Sequence, residues 1–234
     1  MLSLKTQSIQ KSNTMSLALA LLKLSKPNSS QQGISLLECL MAITVISVVI
    51  SSFTPPIFLA VATQIQNRRA EQAVQLAQAE IDRVRSIAEQ QDYANTDLPP
   101  EGATDVKQQS PPSGTTPNRN SMSATTGLLV DVNGDGTQDF VVQTYRNTGV
   151  PDSTGKKVAF NMGVRVYAAV ITQNYGLLES PPQRSASLQL TTALGAQKRR
   201  PLAVMYTTVT HSDDRNSLCN LQKFLGDLTG SGCQ

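Results

Sequence analysis

The sequence has no tryptophan, a single histidine, three cysteines and an aromatic content of only 4% over 234 residues. With His211 as its one histidine, the chain cannot build a histidine-rich metal centre, and any catalytic triad would have to use that residue. Ser212, Asp213 and Asp214 follow it directly. Sequence neighbours rarely form a triad, however, and no nucleophile elbow is present, so this stretch reads as a solvated turn. A phosphate-cradling glycine loop is missing, as is a ladder of aromatic residues for stacking single strands. The run Lys198-Arg199-Arg200 before Pro201 is short and lies between two strand-like segments, which makes it an exposed loop. Nothing here supports an enzyme.

Charge is placed unevenly. Residues 1–33 contain Lys5, Lys11, Lys23 and Lys26 and no Asp or Glu, and an apolar run follows them. A basic flank of this kind fixes orientation, with the C-terminal part outside the cytoplasm. Residues 17–24 are apolar but too few to span a membrane. With 1–33 set aside, 16 Lys and Arg stand against 17 Asp and Glu. The overall basic pI of about 8.8 is therefore no ground for a nucleic-acid partner. Residues 34–54 include 14 apolar side chains and one charge, Glu38, in a stretch long enough to cross a bilayer as a helix. A carboxylate inside a membrane costs roughly 2.5–3.5 kcal/mol, so Glu38 needs a partner. Pro55 and Pro56 then remove helical hydrogen bonds and bend the helix.

The run Gly33-Ile34-Ser35-Leu36-Leu37-Glu38, with its apolar continuation to Phe53 and the Pro55-Pro56 pair, resembles the processing site and first helix of type IV pilin-like proteins. The resemblance implies that a prepilin peptidase cuts after Gly33 and methylates the new amino terminus at Ile34. Residues 1–33 would be the leader, with Met15 as an alternative start that shortens it. Glu38 would pair with the free amine of a neighbouring subunit, so that its burial is compensated on assembly. The plain alternative is a single-span anchor with a glutamate near the interface.

Other pilin or pseudopilin subunits, the inner-membrane assembly platform and the lipid bilayer are the implied partners. The implied location is the inner membrane, single-pass, and then a pilus or pseudopilus in the periplasm or at the cell surface. A minor pilin or pseudopilin serving secretion or motility is the function expected. A type II secretion pseudopilin, or a filament-tip subunit for DNA uptake or adhesion, is the alternative. Asn67-Arg68-Arg69-Ala70-Glu71 and Ile81-Asp82-Arg83-Val84-Arg85 are also similar to cyanobacterial pseudopilins linked to hormogonium polysaccharide secretion.

Past the prolines, Val61, Ile65, Ala70, Ala73, Ala77, Ile81, Val84 and Ala88 recur at helical spacing among polar neighbours, giving one apolar and one wet face. A helix over 34–91 would be about 87 Å long. Residues 34–54 form its transmembrane part and 55–91 its soluble part. Residues 92–127, rich in Pro, Ser, Thr, Gln and Asn, read as an irregular connection that buries little. Residues 128–132, 140–146, 158–173, 187–190 and 202–210 are strand-like. The expected fold class is α+β, with the helix packed on an antiparallel sheet in a β-rich region over 128–234.

Within that region, Asp131, Asn133, Asp135 and Asp139 place oxygen side chains at positions one, three, five and nine of a loop. Gly136 stands at six, and the carbonyl of Thr137 is available at seven. This is a Ca2+ pattern, although position twelve is Val142 and the flanks read as strands. Asn133-Gly134 and Asp135-Gly136 equally signal a polar hairpin. Cys39 reads as a small buried hydrophobe. Cys219 and Cys233 bracket the C-terminal tail, and an oxidising compartment permits a bridge worth about 3 kcal/mol. Pilins often close a C-terminal loop in this way. Two free thiols are the alternative, and a zinc site would lack ligands.

Overall fold

The computed structural model describes residues 35–90, 92–152, 154–187, 193–211 and 217–226. The chain divides into two compact units, Met1–Thr54 and Pro55–Gln234. One long helix, α1 (Leu36–Glu89), supplies the described part of the first unit and enters the second. Its start is capped by Ser35, whose Oγ accepts the backbone N–H of Glu38 at 3.2 Å, and Glu38 is an acidic residue in the first turn, where the helix dipole favours negative charge. The helix expected over 34–91 is thus present with its ends drawn in.

In the second unit the strands are β1 (Gly114–Thr116), β2 (Thr126–Val130), β3 (Phe140–Arg146), β4 (Val150–Pro151), β5 (Lys157–Ala168) and β6 (Ala203–Thr210). They form a single sheet in which β3, β4 and β6 all pair antiparallel with β5. The expectation of a purely antiparallel sheet is corrected at one edge, because β1 runs parallel to β2. The connection between them turns through a 3-10 segment, Arg119–Ser121, capped by the Asn118 side chain. A crossover is what a parallel pair requires. Two short helices, α2 (Ala193–Gln197) and α3 (Ser217–Leu225), complete the described elements.

From Ala73 onward α1 buries Ala73, Ala77, Ile81, Val84 and Ala88. These join Phe140 and Val142 of β3 and Phe160, Met162, Val164 and Val166 of β5 in one apolar cluster. The alternation on β5 places every second residue toward the helix, as period-two geometry dictates. On the opposite face Val141, Tyr167 and Ile171 form a smaller cluster. There Gly163 lies opposite Tyr145. A Cβ on Gly163 would come within 2.7 Å of the tyrosine ring, so glycine is what lets the ring lie across β5.

Three further expectations need correction. The strand expected over 158–173 stops at Ala168, and Ala169–Gln173 turns into a 3-10 helix after the Ala169 amide bonds the Asp139 carbonyl. The segment 92–127 buries more than its composition suggests: Tyr93, Leu98, Val106 and Gln109 are all inside. Tyr93 anchors there by donating to the Lys157 carbonyl at 2.6 Å. His211 is buried as well, and no solvated residue. Its Nδ1 meets the Ala88 carbonyl in the last turn of α1, and its ring stands edge-on to Tyr93. The helix end, which lacks intrahelical donors, explains that placement. The strand expected over 187–190 lies almost wholly outside the described residues.

Candidate functional site

The N-terminal stretch of α1 is the most unusual surface of the molecule. Leu36, Met41, Ile43, Val48, Phe53 and Phe58 are all more than half exposed. The helix is long and apolar enough to cross a membrane, and its most apolar window buries nothing within the chain. Its few polar side chains are spent internally. Ser47, Ser51, Ser52 and Thr54 donate to the carbonyls of Ile43, Ser47, Val48 and Ile50 at 2.7–2.8 Å. Hydroxyls satisfied in this way place no orphan polar group in an apolar medium. Glu38 is exposed on the first turn of the same helix, and Cys39 beside it is the free cysteine among the described residues. Gly33 and Ile34 lie outside the described residues.

The Asp131–Asp139 loop joins β2 to β3, so the expected strand flanks are present, although the first ends at Val130. Its turns need the left-handed backbone that glycine supplies, with φ of 75° at Gly134 and 85° at Gly136. The side-chain oxygens are turned onto the loop's own amides. Asp131 accepts from Gly134 at 2.7 Å and Gly136 at 2.8 Å, and Asp139 accepts from Val132 at 3.1 Å. Asp135 accepts from the Thr137 amide at 2.7 Å and from Asn133 Nδ2 at 2.9 Å. These bonds, the Thr137 amide foremost, hold the Asp135 carboxyl below its usual range. Among the described residues no group of three or more His, Cys, Asp or Glu is gathered so as to hold a metal ion.

Cys219 lies in α3 and is not a free thiol; Cys233 lies outside the described residues. The basic run 198–200 is partly neutralised: Arg200 Nε donates to Glu179 Oε2 at 2.7 Å, and Arg199 Nε stands 4.0 Å from Glu179 Oε1. That hydrogen bond, with the carboxylate's charge, raises the Arg200 pKa further.

Several polar groups escaped sequence reasoning altogether. Glu80 sits on the buried face of α1, its Oε1 accepting from Arg83 at 2.7 Å and also from Arg119. The only sequence signal was Arg83 three residues on, at the spacing where helical side chains meet. Arg146 and Arg165, each inside the sheet, carried no signal beyond their place in strand-like runs. No known protein family, curated protein or solved structure matches this chain.

Proposed function

We propose that this chain is a minor pilin or pseudopilin, a structural subunit of a type IV pilus or of a pseudopilus serving secretion, polysaccharide secretion included, or motility. The observation that carries this reading is the change of role along α1. Its first turns expose a predominantly apolar surface with Glu38 as its one charge, and its later turns bury an alanine-rich face against a sheet. An exposed apolar surface of that size needs cover. Before assembly the cover is the inner-membrane bilayer, with the Pro55–Gln234 unit outside the cytoplasm, and after assembly it is neighbouring subunits. On this reading a prepilin peptidase cuts after Gly33 and methylates Ile34, and an inner-membrane platform extracts the subunit. Glu38, at the head of the helix, selects correctly docked neighbours by pairing with their free amine.

The test is processing followed by incorporation. Intact mass of the membrane-extracted protein begins at an N-methylated Ile34, and Glu38→Val is cleaved and inserted but absent from sheared filaments. The amine of the neighbour has then lost its counter-charge in a low-dielectric setting. A chain retaining residues 1–33 in cells with active peptidase defeats the assignment. Normal incorporation of the variant defeats the role of Glu38 alone.

Two finer features belong to the same reading. A Cys219–Cys233 bridge closes the C-terminal loop after export, with Cys39 left over as the free thiol. A Ca2+ ion on the β2–β3 loop draws Asp131, Asn133, Asp135, Asp139 and the Thr137 carbonyl away from the loop's own amides. Calcium at a hundredfold excess over its dissociation constant then stabilises the chain by about 2.7 kcal/mol. Asp135→Ala abolishes that gain in melting temperature, and a wild-type melting curve indifferent to millimolar calcium after chelation identifies the loop as a polar turn.

A further inference from the structure

A cleft of about 460 Å3 opens in the Pro55–Gln234 unit between α1, the Asn95–Glu101 segment, the Arg119–Ser121 turn and β3. Its lining brings together three guanidinium groups, those of Arg83, Arg119 and Arg146, from three separate parts of the chain. Two of the buried side-chain atoms that have no hydrogen-bond partner among the described residues belong to residues of this lining: Thr144 Oγ1 and Arg146 Nε. Thr144 is 2% exposed and Arg146 5%. Both lie on the helix-facing side of β3, two residues apart, as a strand's alternation requires.

The other bonds of Arg146 show why its Nε is left over. Nη1 is committed to the carbonyls of Asn147 at 2.9 Å and Thr148 at 3.4 Å. Its contact to Glu101 Oε2 is long, at 3.5 Å, because Glu101 Oε1 is held by Thr148 Oγ1 at 2.6 Å. The backbone of Arg146 is fixed on both sides, its N–H donating to Pro100 and its carbonyl accepting from Gly102. Burial pushes the guanidinium below its usual range, the mark of a cation with too little compensating charge around it.

We propose that this cleft binds a ligand through a single carboxylate group, received by Arg146, Thr144 and Arg119. Arg83 and Arg119 share one oxygen of Glu80, so that pair of cations carries a surplus positive charge. Asp97, whose Oδ2 accepts from the Ala94 amide at 2.9 Å, and Glu101 keep their charges, so across the whole lining three carboxylates balance three guanidinium groups, and what singles out Arg146 and Thr144 is unpaired polar atoms and not net charge. A carboxylate brings two acceptor oxygens, which suits a guanidinium edge and a hydroxyl donor together. Glu80, Asp97 and Glu101 also line the cleft. A dianion such as phosphate would meet their repulsion twice over, which favours the singly charged group. Leu98, Pro99 and Met122 give the cleft an apolar wall for the rest of the ligand. The carboxylate could come from a free small acid or from the carboxyl terminus of a peptide. The proposal stands apart from the filament reading and survives its failure.

Calorimetric titration of the full-length protein in detergent tests the proposal with three probes: propionate, N-acetyl-glycyl-glycine and the amide of that dipeptide. Both acids bind and the amide does not. A clear preference for the dipeptide acid over propionate identifies a chain terminus as the source, and equal affinities identify a small acid. Arg119→Gln, at the half-exposed rim, weakens acid binding about tenfold by removing a charge-assisted donor. Thr144→Val weakens it while the melting temperature holds or rises, because an unpaired buried hydroxyl has been removed. Equal binding of acid and amide, no saturable binding of either acid, or unchanged affinity in both variants overturns the proposal.

Discussion

Arg165→Ala lowers the free energy of unfolding by about 4 kcal/mol, the range of a large buried side chain whose removal leaves a cavity and stranded polar groups. Arg165 is wholly buried. Its Nη1 donates to the Gln109 carbonyl at 2.7 Å, and its Nη2 to the Lys107 carbonyl at 3.2 Å and Tyr206 Oη at 3.3 Å. The guanidinium also lies 5.1 Å from the centre of the Tyr145 ring, in cation–π range. No carboxylate is among these partners, so the cation is compensated by carbonyl dipoles and phenol rings. It thereby rivets the Val106–Gln108 turn to β5. Arg165→Met keeps most of the volume and loses only the donors, costing about 2 kcal/mol. Urea titration followed by tyrosine fluorescence measures both variants, the chain having no tryptophan. A loss below about 1 kcal/mol in the alanine variant, within the range of unremarkable surface changes, shows that this rivet is not holding the sheet.

Alkaline solution undoes the fold more steeply than an ordinary tyrosine content would. Tyr93 is pushed up to about 12 from the usual 10.0, by burial first and by the nearby Asp152 charge second. Burial raises Tyr145 and Tyr167 further still, against the opposing pull of Arg165. A phenol that ionises later in the folded state than in the unfolded state contributes its full stability below the unfolded value. That contribution drains away as pH rises past 10.0 toward each folded value. Melting temperature therefore falls progressively above that point, and the phenolate absorbance of Tyr93, Tyr145 and Tyr167 appears only above 10.0. Ionisation of Tyr93, Tyr145 and Tyr167 near the usual value, with melting temperature constant, contradicts this account.

How far the sequence revealed the fold depends on whether a residue's partner was local. The docked face of α1, from Ala73 to Ala88, was legible from spacing alone, because helical periodicity is a property of neighbours. Spacing also included Val61 and Ile65, which remain exposed; periodicity identifies an apolar stripe and is silent on what covers it. β3 matches its expected range of 140–146, since its alternation and flanking turns sit within a few residues. Of the two guanidinium groups that compensate the buried Glu80, Arg83 is three residues on and legible from helical spacing, while Arg119 is 39 positions away and is not. Arg165 likewise depends on carbonyls 56 and 58 positions distant. Gly114–Thr116 is too short to show alternation, so a parallel edge strand passed as loop. The β2–β3 loop was legible as a turn from its glycines, while the direction of its carboxylates, onto backbone amides, was not.

The contact of His211 with the Ala88 carbonyl joins residues 123 positions apart. At about 5 to 20 residues synthesised per second, roughly 6 to 25 s separate the emergence of the two ends of that contact. For that interval the alanine face of α1 has neither β6 nor its capping histidine to meet. Closing so large a loop must also precede the contacts that reward it, which places folding of this unit among the slow, non-local topologies. The nascent helix is therefore a companion-seeking surface along its docked half as well as its exposed half. Any factor that shelters it during those seconds would act before β6 exists, through an interface that the finished molecule then conceals.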